Sequence, residues 1–179
     1  MAHITNSVEY GLHCLLWLVD PASGRPSSRD LAEFQGISPS FVAKIFPKLE
    51  KAGIVQAASG VRGGYCLAKA SGEISILDIV DAIEGDKPLF DCQEIRDRCA
   101  VFNNNAPTWA TSGVCSIHAV MLRAEKAMRD SLAQETLASL AAEVSRKAPK
   151  NFSIEVRDWL NGRANDRASP RPLKPGGAP

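Results

Sequence analysis

The stretch from Ser27 to Leu67, SSRDLAEFQGISPSFVAKIFPKLEKAGIVQAASGVRGGYCL, leaves this chain few choices of fold. Leu31, Ala32, Ile37, Val42, Ile45 and Leu49 fall at helical spacing and predict two short helices, each burying one face. Gly36 stands between them, where a residue free to take positive φ lets the second helix cross the first. Ser38 is a suitable N-cap, Pro39 costs no hydrogen bond at the first helical position, and Gly53 is the residue expected just past the helix end. Residues 54–57 then read as a strand, Ser59-Gly60 and Gly63-Gly64 as turns, and residues 65–67 as the returning strand. The pattern predicts a mainly α chain: a winged helix-turn-helix with a small two-stranded β-wing, followed by a long dimerisation helix.

The second helix turns Ser38, Ser40, Phe41, Lys44, Lys48 and Lys51 away from its buried side. Hydroxyls, an aromatic ring and amines at that spacing suit a helix lying in a DNA major groove, and they equally suit a solvated lysine face. The wing favours DNA, because Arg62 sits on a glycine-flanked tip that can reach a phosphate or a minor groove. The net charge of +1 is uninformative until it is divided along the chain. Residues 38–69 hold five basic side chains against one acidic, a net of +4, whereas residues 73–97 hold eight acidic against two basic, a net of −6.

Residues 4–20 read as a first helix with Val8, Leu12, Leu15, Leu16 and Val19 as its core stripe. Beside that stripe run Glu9, His13 and Trp17, with Glu9 and His13 adjacent at i and i+4, as a surface ion pair or as ligands. Cys14 reads as packing, and Cys66 as a core-facing strand residue. Residues 74–83 form an amphipathic helix whose Ile76, Ile79, Val80 and Ile83 pack on the winged helix. Residues 86–115 form an irregular loop carrying Cys92, Cys99 and Cys115, and long cysteine-bearing loops are usually functional or metal-organised. Residues 116–146 suit one long apolar-striped helix, with Thr136 available to cap a second one. Ile117, Met121, Ala124, Met128 and Leu132 on it ask for a partner subunit.

The organisation expected is therefore a DNA-binding domain over 1–85, a cysteine loop over 86–115 and a dimerisation region over 116–146. A short helix within 147–162 and a disordered Pro- and Gly-rich tail over 163–179 follow. No apolar run is long enough to span a membrane and no export signal opens the chain, so a cytoplasmic protein is expected. Five cysteines in a reducing compartment point to metal or redox chemistry rather than to disulfides. The residues show no nucleotide cradle, nucleophile elbow or motif-bound acid/base pair, which argues against an enzyme.

ISPSFVAKIFPKLEKAGIVQAASGVRGGYCLAKA followed by EISILDIVDAIEG resembles the Rrf2 family of bacterial transcription regulators, over roughly residues 1–145. The resemblance implies a homodimeric winged-helix regulator, read as a repressor, acting on a near-palindromic double-stranded operator and often carrying an iron–sulfur cluster. Its cluster-binding members place three cysteines closely in the loop, and this chain departs from them in the wide interval between Cys99 and Cys115. Cys92, in LFDCQEIRDR, matches the first family cysteine, and Cys115, in CSIHAVM, the last. VEYGLH at residues 8–13 resembles the redox-sensing RsrR-like branch, in which a helix-one Glu and His are ligands. By that resemblance a [2Fe–2S] cluster takes Cys92 and Cys115 from one subunit and Glu9 and His13 from the other, and reports redox state or nitric oxide. Cys99 and His118 are the rival ligands. A zinc site, a cluster-free regulator and an electron-transfer protein are the alternatives.

Overall fold

The computed structural model describes residues 4–60, 63–85 and 87–168. Helix α1 (Asn6–Leu16) starts at Thr5, whose hydroxyl accepts from the Ser7 N–H. Thr5 also donates its own N–H and hydroxyl to the Glu84 carboxylate, at 2.9 and 2.6 Å. The helix is shorter than the predicted 4–20. The Leu18 and Val19 N–H groups turn back to carbonyls three residues earlier, and Pro21–Ser23 forms a separate 3₁₀ turn. Val8, Cys14, Leu15 and Leu18 are buried, with Leu12, Leu16 and Val19 packed at the core edge. Cys14 is packing, as expected, and burial pushes its thiol up to about 12.

Helix α2 (Ser28–Gln35) opens on a reciprocal cap in which Ser27 and Asp30 each satisfy the other's backbone N–H. It ends at Gly36, held at φ 68°, the left-handed conformation the turn to the next helix requires. Helix α3 (Pro39–Lys51) buries Val42, Ile45, Phe46 and Leu49. Ser38 occupies the N-cap position but makes no capping bond; its hydroxyl lies 2.8 Å from that of Ser40 instead. Strands β1 (Val55–Ala58) and β2 (Gly64–Leu67) pair antiparallel, with Val55 opposite Leu67 and Ala57 opposite Tyr65. The Tyr65 ring lies 4.6 Å from Phe46, and both Tyr65 and Leu67 pack on the core. Strand alternation therefore turns Cys66 away from the core, against the expectation, and its sulfur accepts from the Gln56 amide at 3.4 Å.

Helix α4 (Ile76–Glu84), capped by Ser75 and Asp78, buries Ile76, Ile79, Val80 and Ile83 as predicted. It crosses α1 so closely that a Cβ at Gly11 would come within 2.5 Å of the Ile83 side chain. After the loop, which holds the one-turn helix α5 (Thr108–Thr111), residues 116–146 do not form one helix. They divide into α6 (Ser116–Gln134) and α7 (Leu137–Lys147). The break has a backbone cause: Ile76 N–H donates to Glu135 O at 2.8 Å and Leu137 N–H to Ile74 O at 2.9 Å. Leu137 enters the core and Thr136 caps α7, the role the sequence offered it.

Helix α8 (Phe152–Ala168) is longer than the short helix expected, so residues 163–168 are helix rather than disordered tail. Residues 169–179 of that expectation lie outside the described residues. Val156 and Leu160 anchor α8, the Trp159 ring lies 5.1 Å from Phe34, and the Phe152 ring 6.0 Å from Trp17. Its arginines do the rest: Arg157 pairs with Asp20 at 2.8 Å, Arg163 with Glu33, and Arg167 with the buried Asp30.

Candidate functional site

Helix α3 presents Ser38, Ser40, Phe41 and Lys44 to solvent. Phe41 is 46 % exposed although its edge rests 5.5 Å from the Tyr10 ring, so the side chain is braced without being hidden. Lys48 has a different occupation from the one expected. Its ammonium donates to Ile83 O at 2.6 Å, at the carbonyl end of α4, where the helix dipole favours a cation. That bond ties α3 to α4. Arg62, the predicted wing contact, lies outside the described residues. The wing's base is fixed by two bonds, Ala57 N–H to the Glu50 carboxylate at 3.1 Å and Tyr65 N–H to Pro26 O at 2.9 Å.

The loop distinguishes its cysteines. Cys115 is buried at the N-cap position of α6, Cys92 is half-buried, and Cys99 is exposed between two one-turn 3₁₀ segments. Arg96, four residues after Cys92, donates to the carbonyls of Thr111, Ser112 and Gly113, the turn just before Cys115. A hydrogen bond to Glu94 does most to hold the Arg96 guanidinium above its ordinary value, and the charges of Cys115 and Cys92 contribute after it. Glu94 is correspondingly held below the usual carboxylate range, first by Arg96 and to a lesser degree by the charge of His118. His118 is half-buried with its ring 6.1 Å from Phe90, which brings the chain on either side of the two cysteines together.

Glu9 and His13 are both exposed, on a part of α1 that lines a shallow groove with Leu140 and Val144 of α7. Among the described residues no three His, Cys, Asp or Glu side chains converge as a metal site. One chain thus supplies two thiols on the loop that Arg96 ties together and a Glu–His pair on α1. Sequence reading missed Arg96. The signal was an arginine four residues after a cysteine, within an acidic loop.

The family model for Rrf2, described as iron-dependent transcriptional regulator, matches residues 4–143. The chain belongs to the Rrf2 family. Protein rrf2 of Nitratidesulfovibrio vulgaris is 34 % identical over 149 residues, covering 83 % of this chain and 92 % of that protein. The HTH-type transcriptional regulator NsrR of Halalkalibacterium halodurans is 30 % identical over 138 residues, 76 % of this chain and 88 % of its own. Among solved structures, CymR (YrzC), the global cysteine regulator of B. subtilis, superposes with a TM-score of 0.61 at 22 % identity. That superposition covers 80 % of this chain and 98 % of CymR, and shows the winged-helix fold. This Rrf2 protein is accordingly a DNA-binding transcriptional regulator and not an enzyme. Among its described residues no helix is long and apolar enough to cross a membrane.

Proposed function

We propose that this Rrf2 protein is a cytoplasmic homodimeric repressor that reads a near-palindromic operator and senses redox state or nitric oxide through a [2Fe–2S] cluster. The observation that supports the reading is the Arg96 fork, which ties the chain after Cys92 to the turn before Cys115, while Cys99 is left exposed. Two thiolates do not complete such a site, and the exposed Glu9 and His13 at i and i+4 are the donors a partner subunit has free to offer. When bound, the cluster supplies one-electron chemistry, at a potential raised by imidazole in place of thiolate. Ser38, Ser40, Phe41 and Lys44 contact the operator, with Arg62 on the wing. Ile117, Met121, Ala124 and Met128 of α6 face the partner subunit, with Ile117 63 % exposed in the single chain, whereas Leu132, expected on the same stripe, packs against this chain's own core.

The experiment is the visible absorption spectrum after anaerobic purification, for the native chain, Cys99→Ala and His13→Ala. A cluster spectrum kept by Cys99→Ala and altered in His13→Ala is expected. Bleaching by Cys99→Ala with an unchanged His13→Ala overturns the ligand set in favour of three cysteines. A colourless, zinc-containing or metal-free native protein favours a second reading, a cluster-free regulator.

A further inference from the structure

We propose that Arg96 is the positioning residue of the Cys92–Cys115 pair, a pin that ties the chain after the first thiol to the turn before the second. The proposal deepens the proposed function and rests on it only for what the thiols hold.

Residues 87–114 contribute no buried side chain among those described, so burial does not order this loop. Arg96 does so by spreading its guanidinium over one turn. It donates to Thr111 O at 3.1 Å, Ser112 O at 3.3 Å and Gly113 O at 3.0 Å, and through Nε to the Glu94 carboxylate. Those three carbonyls close the end of α5 and have no helical partner of their own. A planar fork with five N–H donors on three nitrogens serves these carbonyls and the Glu94 carboxylate together, four acceptors against the three donors of a single ammonium. Glu94 adopts φ 47°, a left-handed conformation strained for a residue with a side chain, and its bond to Arg96 holds it there. Gly113 precedes Cys115 by two residues and Cys92 precedes Arg96 by four, so the pin has short arms to both thiols. The contact of Phe90 with His118 closes the loop from the other side.

The test uses freshly reduced, metal-free full-length protein carrying Cys66→Ser and Cys99→Ser, with Cys14 shielded by burial. Dibromobimane fluoresces only when it has alkylated two thiols, and peptide mapping identifies the Cys92–Cys115 bridge. The pinned chain should bridge readily. Arg96→Gln should bridge about tenfold more slowly, the effect of losing charge-assisted hydrogen bonds. Chymotryptic cleavage after Phe102 and Trp109 should accelerate in parallel, with the thermal midpoint of the winged helix unmoved. Arg96→Lys keeps the charge without the fork and should lose bridging equally. Unchanged bridging in Arg96→Gln, or full retention in Arg96→Lys, overturns the pin. Iron and sulfide uptake by the native chain judges the proposed function separately. Ready bridging without uptake removes the cluster and supports the pin.

Discussion

The winged helix and the cysteine loop are built by different physics. In the winged helix every helix places residues near zero exposure, among them Leu15, Leu31, Phe46, Leu49, Ile79 and Ile83. In the loop, Ile95, Val101, Trp109 and Val114 are exposed, and three residues other than glycine, Glu94, Asn103 and Asn104, adopt positive φ. Burying one large apolar side chain contributes about 1.5–3 kcal/mol. A hydrogen bond in water contributes about 1 kcal/mol net. The first region is thus held by many contacts that must fail together, and the second by a few that can open singly. A segment that opens cheaply is suited to answering a ligand, and a segment that opens only by unfolding is suited to holding a reading helix still.

The comparison breaks first at the core. Phe46→Ala or Leu31→Ala should cost about 3–5 kcal/mol, against almost nothing for Trp109→Ala at 76 % exposure. Urea denaturation read by circular dichroism measures all three, and comparable losses would erase the distinction drawn here. Hydrogen exchange sharpens it: amides of residues 87–114 should exchange through local opening, those of α1, α3 and α4 only through global unfolding.

A smaller effect is expected where the dimerisation region meets the winged helix. Arg129 makes a bidentate pair with Asp81 at 2.7 and 2.9 Å, tying α6 to α4. Both side chains are 37 % exposed, so solvent screening limits Asp81→Asn to about 1 kcal/mol. The shift in urea midpoint measures it.

The smallest effect is a pH dependence. The hydrogen bond from Arg157, then the Ala22 N–H, hold Asp20 below the usual carboxylate range. Its folded value lies below its unfolded one. The stabilisation is therefore full above the ordinary carboxylate range and is lost as pH falls through the lowered value. With Asp20 and Arg157 each 41 % exposed, Asp20→Asn should flatten the acid limb of the melting curve by less than about 1 kcal/mol. An unaltered acid limb would show that the pair does not hold α8 in solution.

The winged helix was legible because its elements are stated twice, once by apolar period and once by punctuation. Leu31, Val42, Ile45 and Leu49 mark the faces, while Gly36, Pro39 and Gly53 mark the ends. Lys48 escaped because its partner is a backbone carbonyl of Ile83, distant in sequence and carrying no residue-type signal. The break between α6 and α7 showed in the sequence only as Thr136, a residue able to cap a second helix; the contact that makes the break, between residues 74–76 and 135–137, runs through backbone. Of the candidate site, the cysteines and the Glu9–His13 spacing were legible in the sequence, whereas the fork at Arg96 required a turn 15 to 17 residues away to be folded first. Helix α8 was legible in part: a short helix within 147–162 was expected, whereas its continuation past Gly162 is held by the Arg163 and Arg167 pairs, which periodicity does not report.

Those pairs make α8 a local clamp. Asp20, Asp30 and Glu33 belong to the winged helix, and Arg157, Arg163 and Arg167 come from a helix beyond the family-matched residues. Each carboxylate is matched at contact range by a cation from the same chain, and the one under Arg167, Asp30, is buried. Glu155, Asp158 and Asp166 balance the three arginines, so α8 carries no net charge. The extension therefore fastens itself to the winged helix charge by charge and leaves the far field of the molecule as it was.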